Sequence, residues 1–593
     1  MQRKFLILLV GLLFSFSVAK ENNSNISASG TSNKVYHQTT VAQQAGAAYD
    51  LGTSVFFPVY AKNGMVVSEH ELASKVGLDI LKDGGNAIDA AVGIAFALAV
   101  VLPNAGNIGG GGFMLAYDQK NQKVRAIDFR EVAPMNANKD SFLSEDGAVI
   151  DGKSINTHYA SGVPGTVAGL EYAWRQGGAL PWNKLIEPAI ELADSGFEVS
   201  PALEKKLSGS ANFLGKWDST RKIFFKNGQP LKNGDWLIQK DLAKSLRLIA
   251  KQGAKAFYEG DIADKIVAEM APYHWITKQD LSSYKVIERD PIWGTYKGYK
   301  VAIMPPPSSG GIHIIQILNI LERWPLYQWG QNSAQTIHYM VEAMKLAYAD
   351  RQKYLGDPDF VSMPVKGLVS KRYADELSKK ITAKASKVST VNPGNPFPYE
   401  SEETTHFSVI DKEGNAVSVT YTLNGNFGNG IVVKGTGILL NNEMDDFALK
   451  PGVANIYGLM GNEANQVAPG KRPLSSMSPT FVFYNNQLHL VTGSPGGARI
   501  ITTVLQMILN DIEFKLNPAE ATAAARVHHQ LLPNELRVEK PLSVDTINLL
   551  KKRGHKVVIK PSMGKTQTIK VNPNGLLEGA SDTRNPDGKV MGY

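Results

Sequence analysis

Two hydrophobic periods alternate along this chain, and each predicts a different kind of element. MVVSEH at 65–70 predicts a strand, which leads into a helix that ends at the Gly84-Gly85 pair. The apolar run 88–102 (IDAAVGIAFALAVVL) predicts a buried helix, because it contains Asp89 and is shorter than the roughly 20 residues that span a bilayer. The helical period also predicts helices at 164–176, 183–195, 240–252, 260–270, 311–322 and 333–350.

From residue 404 onward the hydrophobic positions follow a period of two, which is typical of strands. TTHFSVIDKEGNAVSVTYTL (404–423) predicts a hairpin that turns at 412–415, and similar strand pairs turn at 485–486 and 572–575. Antiparallel sheet is therefore expected to dominate the last third of the chain. Helices are also predicted there, near 498–511, 517–526 and 543–553. Because helices and strands interleave throughout, an α/β or α+β architecture is expected.

The first 19 residues have the pattern of a secretory signal peptide. Arg3 and Lys4 precede an apolar run from Phe5 to Phe16, and the small residues Ser17-Val18-Ala19 follow. This run is too short for a membrane anchor, since a span needs roughly 20 residues. We therefore expect cleavage after Ala19, no membrane anchor, and a mature protein in the periplasm or outside the cell.

Composition excludes several classes of protein. The 593 residues are 43% hydrophobic and 20% charged, which excludes wholesale disorder. A net charge of +8 without dense Lys/Arg blocks is a weak bias, so a nucleic-acid partner is not expected. The absence of cysteine excludes disulfides, zinc–thiolate sites, iron–sulfur clusters and a cysteine nucleophile.

The segment 391–403 (VNPGNPFPYESEE) is rich in proline and glycine and then acidic, which is typical of an exposed linker. It leads directly into the predicted strand that begins with Thr404. One interpretation is a boundary between two domains. The other is a self-cleavage site between Glu403 and Thr404, which would make Thr404 a new N-terminus at the edge of a sheet.

A threonine hydroxyl needs a base before it can act as a nucleophile. None of the 11 histidines lies in a recognisable Ser–His–Asp pattern. A free α-amino group has a pKa of about 7.7–8.0, so a cut after Glu403 would supply nucleophile and base on the same residue. Gly496 and Gly497 precede a predicted helix and are candidates for two backbone N–H donors to an oxyanion, although the same pattern fits an ordinary turn.

Other short motifs favour structural roles. Gly109–Gly112 lacks both the spacing and the lysine of phosphate-binding loops, so we predict a tight turn there. The His70-Glu71 pair begins like a metalloprotease helix, but Ser74 stands where the second histidine should be. The adjacent His528-His529 pair does not share a helix face, and a structural or substrate-flanking role is favoured. The sequence therefore predicts neither a metal site nor an organic cofactor.

Several long motifs, in order from about residue 60 to Tyr593, resemble those of the bacterial γ-glutamyltranspeptidases. They are GNAIDAAVGIAFALAVVLPNAGNIGGGGFML (85–115), DFREVAP (128–134), SGVPGTVAGLE (161–171), MPPPSSGG (304–311), TTHFSVIDKEGNAVSVTYTLN (404–424), GILLNNEMDDF (437–447), KRPLSSMSPT (471–480) and TGSPGGARIITTVLQM (492–507).

The resemblance implies an α+β fold, the four-layer αββα sandwich of N-terminal nucleophile hydrolases. It also implies one precursor that cuts itself into two intertwined subunits, here a large subunit of residues 20–403 and a small one of 404–593. Their heterodimer would transfer the γ-glutamyl group of glutathione, or of another γ-glutamyl donor, to water, an amino acid or a peptide.

The resemblance further implies roles for individual residues. Thr404 corresponds to the nucleophile and Thr422 to the threonine that orients it, while Gly496 and Gly497 correspond to the oxyanion hole. The implied donor contacts are Arg130, Ser475 and Ser476 for the α-carboxylate, Asn424, Glu443 and Asp446 for the α-amino group, and Tyr457 on a loop that covers the pocket. Some relatives carry glutamine at the position of Glu443, and both side chains can accept from an ammonium.

Two alternative functions remain open at this point. One is a related acylase that takes a glutaryl amide or poly-γ-glutamate, for which the amino-group contacts Asn424, Glu443 and Asp446 would discriminate. The other is a non-catalytic protein that binds glutamyl compounds. The presence of both Thr404 and Thr422 argues against it.

Overall fold

The structure is a computed structural model that describes residues 55–396 and 407–593. The predicted signal peptide and the predicted cleavage position, Glu403 and Thr404, lie outside these residues. Within the described ranges, no helix combines the length and the apolar character needed to cross a membrane.

The helices coincide closely with the hydrophobic periods in the sequence. The α-helices in the described residues are Glu71–Lys82, Ala87–Val101, Thr166–Gly177, Trp182–Ser195, Pro201–Gly209, Ala211–Leu214, Asp218–Phe224, Lys240–Gln252, Lys255–Tyr258, Asp261–Met270, Lys278–Ser282, Gly310–Leu321, Leu326–Trp329, Ala334–Tyr354, Val365–Leu368, Lys371–Ser378, Arg499–Ile512, Pro518–Ala523 and Val544–Lys552. Short 3₁₀ helices occur at His158–Ala160, Ala271–Tyr273, Val388–Thr390, Glu443–Asp446 and Glu463–Asn465.

The apolar helix Ala87–Val101 shows why a charged residue sits in a hydrophobic run. Asn86 caps its first turn in a capping box with Asp89. The buried Asp89 carboxylate also accepts from the backbone N–H groups of Ala179 and Leu180 at 3.0–3.2 Å. Asp89 thus links the start of this core helix to the loop after the helix Thr166–Gly177. The prediction of a buried helix is confirmed.

Most strands belong to two large antiparallel sheets. In chain order the strands are β1 Val59–Ala61, β2 Met65–Ser68, β3 Gly111–Asp118, β4 Lys123–Phe129, β5 Phe197–Glu198, β6 Phe225–Lys226, β7 Gln229–Pro230, β8 Trp236–Leu237, β9 Ile287–Arg289, β10 Ile292–Tyr296, β11 Tyr299–Ile303, β12 Ser408–Ile410, β13 Ala416–Thr422, β14 Thr480–Tyr484, β15 Gln487–Thr492, β16 Val527–His528, β17 Leu536–Glu539, β18 Val557–Lys560, β19 Gln567–Val571, β20 Leu577–Ser581 and β21 Lys589–Gly592. In the described residues one seven-stranded sheet has the order β1-β20-β19-β15-β14-β11-β10, and the other has the order β21-β2-β12-β13-β3-β4-β9.

Each large sheet combines strands from both sides of the 391–403 segment. In one sheet β2 lies between β12 and β21, and β3 pairs with β13. In the other, β11 pairs with β14 and β1 with β20. The described residues fall in one compact unit. The interpretation of 391–403 as a boundary between separately packed domains is therefore wrong.

The alternation of side chains along β3 explains the layered architecture. Phe113, Leu115 and Tyr117 pack in the core shared with the other sheet and with helices such as Gly310–Leu321. Met114 and Ala116 point to the opposite face, where they pack in the second core. That core also contains the helix Ala87–Val101. Two sheets are thus enclosed by helical layers, and the expected α+β sandwich is confirmed.

Three details differ from the sequence expectation. The strand predicted at 65–70 ends at Ser68, because His70 instead caps the following helix through its side chain. The β3–β4 hairpin between Gly111 and Phe129 was not predicted, and Gly111 and Gly112 begin β3 where a tight turn was expected. In the small sheet β16-β17-β18, the last pair is parallel and not antiparallel. The hairpin predicted at 485–486 is present, and both asparagines there have positive φ angles, as a tight turn requires.

Candidate active site

One cavity of about 580 Å³ brings together every candidate site residue that the structure describes. Its walls include Arg130, Thr422, Asn424, Glu443, Asp446, Tyr457, Ser475, Ser476, Gly496 and Gly497. Glu403 and Thr404 lie outside the described residues, but Phe407, the first described residue after them, lines the same cavity. Residues far apart in the sequence therefore meet at one place.

The ends of neighbouring strands create this convergence. Thr422 is the last residue of β13 and pairs with Gly111 at the start of β3. Gly112 pairs in turn with Phe129 at the end of β4, so Arg130 emerges at the same edge of the sheet. Antiparallel pairing thus brings the threonine and the arginine to one end of the sandwich.

Arg130 lies at the centre of a buried ionic cluster. Its guanidinium is completely buried and forms ion pairs with Glu443 and, at 2.7 Å, with Asp446. One oxygen of Glu131 lies 3.6 Å from the same group. Nε of Arg130 donates to the carbonyl of Pro473 at 3.3 Å. The family resemblance assigns Arg130 to the α-carboxylate of the donor, and Glu443 and Asp446 to its α-amino group. In this structure these side chains pair with one another.

The backbone of Arg130 is held by a second set of charges. Its N–H donates to Asp128 at 2.9 Å, and Tyr284 donates to its carbonyl at 2.9 Å. Asp128 is itself held by Arg289 at 2.8 Å and lies 3.4 Å from Arg472. Because the N–H and the carbonyl of Arg130 are both held by hydrogen bonds, its side chain is already oriented before a ligand binds.

Burial shifts the proton affinities of the cluster. Burial lowers the pKa of Arg130, but the charges of Glu443, Glu131 and Asp446 outweigh it and raise that pKa overall. Burial raises the pKa of Glu131 to about 7 and that of Glu443 well above its ordinary value, although Arg130 opposes both shifts. Both oxygens of Glu131 and one of Glu443 have no hydrogen-bond partner among the described residues. Three carboxylates thus surround one cation, which favours a ligand that brings a second cation.

Ser475 and Ser476 line the same cavity as Arg130 and are fixed by the 304–311 segment. The N–H of Ser475 donates to the carbonyl of Pro307 at 2.7 Å, and its own carbonyl accepts from the N–H of Ser309 at 2.8 Å. Arg351 donates to the hydroxyls of Ser309 at 3.0 Å and Ser476 at 3.3 Å. The Ser476 hydroxyl therefore lies beside a second buried guanidinium, an arrangement suited to a carboxylate.

Gly496 and Gly497 form the turn before the helix Arg499–Ile512. Their φ angles are +139° and +57°, which residues other than glycine rarely adopt. Neither N–H donates to an acceptor within the described ranges. Because these donors also lie at a helix N-terminus, they are well placed to stabilise a developing negative charge.

Thr422 and Tyr457 also line the cavity. The hydroxyl of Thr422 accepts from the N–H of Asn424 at 2.8 Å, which leaves its proton to donate elsewhere. Tyr457 donates to the carbonyl of Asn424 at 2.5 Å. A Cβ placed on Gly497 would lie 2.5 Å from the Tyr457 ring. The tyrosine thus packs directly on the glycine turn.

Several hydrogen bonds hold the loop that carries Tyr457. Asn455 donates to Asp446 at 3.1 Å, and the N–H of Ile456 donates to Asp445 at 2.9 Å. Gln530 donates to the carbonyl of Tyr457 at 3.1 Å. The same acidic segment therefore contributes to the ionic cluster and anchors the covering loop.

Sequence reasoning missed three residues of this site. Glu131 follows Arg130 directly and could have been noted as a charged neighbour. Arg351 and Asn455 carry no local signal, because they reach the site only through the packing of the helix Ala334–Tyr354 and of the loop. His528 contacts Thr502 at 2.8 Å and Gln530 at 2.9 Å, which agrees with a structural role.

The chain is similar to known proteins over nearly its whole length. Residues 73–593 match the family model described as Gamma-glutamyltranspeptidase. The chain is 55% identical over 549 residues to the glutathione hydrolase proenzyme of Escherichia coli (strain K12), covering 92% of this chain and 94% of that one.

Two solved structures extend the comparison. The crystal structure of cephalosporin acylase from Bacillus halodurans has a TM-score of 0.82 and 32% identity, and the match covers 91% of this chain and 97% of that chain. The crystal structure of Helicobacter pylori gamma-glutamyltranspeptidase has a TM-score of 0.55 and 46% identity, with coverage of 56% and 96%.

Proposed function

The chain belongs to the gamma-glutamyltranspeptidase family, and we propose that it transfers the γ-glutamyl group of glutathione and similar donors through an ester on Thr404. It is a self-processing γ-glutamyltransferase and glutathione hydrolase. The acceptors that we propose are water, amino acids and peptides. The observation that carries this proposal is the cavity in which the Arg130 cluster faces the Gly496-Gly497 turn.

Recognition of the donor follows from the charges of the cavity. A γ-glutamyl group carries an α-carboxylate and an α-ammonium on one carbon atom. The carboxylate would bind Arg130, Ser475 and Ser476, since a guanidinium meets both oxygens of a carboxylate. The ammonium would replace Arg130 as the partner of Glu443 and Asp446, with the Asn424 side chain beside it. Both charges of the ligand would then be paired.

The chemical step needs a nucleophile, a base and an oxyanion site. We assign the first two to the hydroxyl and free α-amine of Thr404, oriented by the hydroxyl proton of Thr422. Phe407 lines the cavity, and a chain covers at most about 3.6 Å per residue, so position 404 is within reach of it. Attack on the γ-carbonyl would place the oxyanion against the N–H groups of Gly496 and Gly497. Collapse of the oxyanion would break the γ-amide bond, and the donor's amine would leave with the proton that the α-amine of Thr404 took from the hydroxyl. Water or an acceptor amine would then attack the ester and free the Thr404 hydroxyl.

The nucleophile requires processing of the precursor. We propose that the Thr404 hydroxyl attacks the carbonyl of Glu403 and that water opens the resulting ester. The products would be a large subunit of residues 20–403 and a small subunit of 404–593. With the predicted signal peptide removed after Ala19, the heterodimer would reside in the periplasm or be secreted.

Intact mass and N-terminal sequencing of the purified protein test the processing step. We expect two chains, of which the smaller begins at Thr404. Thr404→Ala should give an inactive single chain, whereas the matched control Thr405→Ala should be cut and active. Full activity of an uncut wild-type chain, or efficient cutting of the Thr404→Ala variant, would contradict the proposal.

A related acylase specific for glutaryl amides is the second candidate, and the likeness to cephalosporin acylase supports its consideration. A glutaryl donor lacks the ammonium that Glu443 and Asp446 would bind. Turnover of matched γ-glutamyl and glutaryl anilides separates the two functions. We expect a strong preference for the γ-glutamyl compound, and equal kcat/KM values would favour the acylase.

A further inference from the structure

A second cluster of chemically reactive side chains lies away from the active-site cavity. His338 and Glu342 are one turn apart on the helix Ala334–Tyr354, so their side chains share a face. His555 follows the helix Val544–Lys552 and places its Nε2 atom 2.8 Å from Nδ1 of His338. All three residues are buried, and their donor atoms lie within 4.8 Å of one another.

We propose that His338, Glu342 and His555 form a binding site for a divalent transition metal ion such as Zn²⁺. Two imidazoles and one carboxylate are a typical protein ligand set for zinc, with water as the fourth ligand. The two nitrogen donors disfavour Ca²⁺ and Mg²⁺, which prefer oxygen ligands.

The hydrogen bonds of His338 orient it as a ligand. Its Nε2 atom lies 2.7 Å from the carbonyl of Thr382, and a carbonyl can only accept, so Nε2 carries the proton. In the neutral ring the lone pair is then on Nδ1, which faces His555. An imidazole held in this way by a backbone carbonyl is characteristic of metal-binding histidines.

Lys345 competes with a metal ion for the carboxylate. Its ammonium donates to Glu342 at 2.7 Å and to the carbonyl of Ser386 at 3.0 Å. Lys345 also lines a separate cavity of about 420 Å³, which His555 borders. This cavity offers the metal ion a route to the cluster and gives the lysine side chain space to move aside.

The three ligands join the two parts of the chain. His338 and Glu342 precede the 397–406 interval, and His555 follows it, 217 positions after His338. A metal ion bound only by the folded protein would therefore raise the stability of the joined structure. Because the ligands are so far apart in the sequence, no local motif reveals the site.

Cobalt titration of the full-length, untagged protein, after dialysis against a chelator, tests the site. We expect one Co²⁺ per pair of large and small subunits with visible d–d absorption, displacement by Zn²⁺, and a higher Tm with Zn²⁺. His555→Gln and Glu342→Gln should each weaken binding at least about tenfold. Lys345→Met should strengthen it, because the competing ammonium is gone.

His274→Asn is the matched control, since His274 is exposed and its φ of 51° suits asparagine. Its metal affinity should equal that of the wild type. γ-Glutamyl transfer activity in each variant shows that it has folded. Absence of saturable Co²⁺ binding up to about 1 mM, or affinity unchanged in both His555→Gln and Glu342→Gln, would overturn the proposal.

Discussion

The contact between Gly497 and Tyr457 gives the sharpest prediction. In Gly497→Ala the new Cβ would lie 2.5 Å from Cδ1 and 2.6 Å from Cε1 of the tyrosine ring. Carbon atoms in contact need about 3.5–4.0 Å, so the ring or the turn must shift by about 1 Å. The ring cannot move freely, because its hydroxyl is bound to the carbonyl of Asn424 at 2.5 Å. The substitution should therefore displace the N–H of residue 497 from the oxyanion.

The expected loss can be estimated from the two effects. Alanine at a φ of +57° costs about 1–2 kcal/mol of stability. Loss of one oxyanion donor costs about 10²–10³ in kcat. The substitution does not touch the contacts that we propose between the donor and Arg130 or Asp446, so KM should change little. The assay is steady-state hydrolysis of a chromogenic γ-glutamyl anilide, with the processed fraction measured on a gel.

Two further variants separate the steric effect from backbone strain. Gly458→Ala is the matched control, because its φ is +75° but its Cβ would meet no atom closer than 3.3 Å. It should lose stability with kcat within about threefold of the wild type. In a Tyr457→Ala background, Gly497→Ala should cost less than about tenfold in kcat, since the clash is gone. A near wild-type kcat for Gly497→Ala alone, in fully processed protein, would refute the reasoning.

Three other predictions concern the charged groups. Asp446→Asn should lower kcat/KM for a γ-glutamyl donor about 10–100-fold by removing a charged acceptor, and should leave a glutaryl donor unaffected; equal losses for both donors would contradict the assigned contact. Arg351→Met should raise KM about tenfold with little change in kcat, because the guanidinium beside Ser476 is lost, and Arg351→Lys should restore part of the affinity; an unchanged KM in Arg351→Met would exclude the role. Burial raises the pKa of Glu131 from 4.5 to about 7. The contribution of this carboxyl group to the free energy of unfolding is therefore complete below pH 4.5 and is lost as the pH rises through 7. Glu131→Gln should therefore be more stable than the wild type at pH 8, by at most about 3 kcal/mol, with the difference vanishing near pH 4; thermal denaturation at both pH values measures it, and equal Tm values at pH 8 would contradict the shift.

The parts of the fold that the sequence predicts are those set by local periodicity. The helix Ala87–Val101 and the hairpin at 485–486 follow from apolar length and from turn chemistry, and the structure has both. The pairing of β3 with β13 could not be predicted in this way, because it joins strands about 300 residues apart that share no local signal. The parallel pair β17–β18 has a different origin, because its two strands directly flank the helix Val544–Lys552 in a β–α–β unit.

The candidate site divides in the same manner. Most of its predicted residues were named only through the family resemblance, since Arg130 or Ser475 alone would be an ordinary polar residue. Gly496 and Gly497 were also candidates from their place before a predicted helix. The ion pair between Arg130 and Glu443 was not predicted. The family resemblance gives the contacts of each residue with the donor, but it does not give the contacts between the two residues. Arg351 was missed for a physical reason. It contacts the site from a helix whose own sequence is explained by burial in the core.

The interleaved sheets fix the order of events in the proposed processing. Arg130 precedes the cut, whereas Glu443 and Asp446 follow it, so the cluster exists only after both parts have folded together. A cut between Glu403 and Thr404 breaks one peptide bond and none of the pairings of β2 with β12 or of β3 with β13. The two products should therefore remain one body without any linker. The free amine would then appear in a pocket that is already assembled, and the proposed nucleophile would stay inactive until folding is complete.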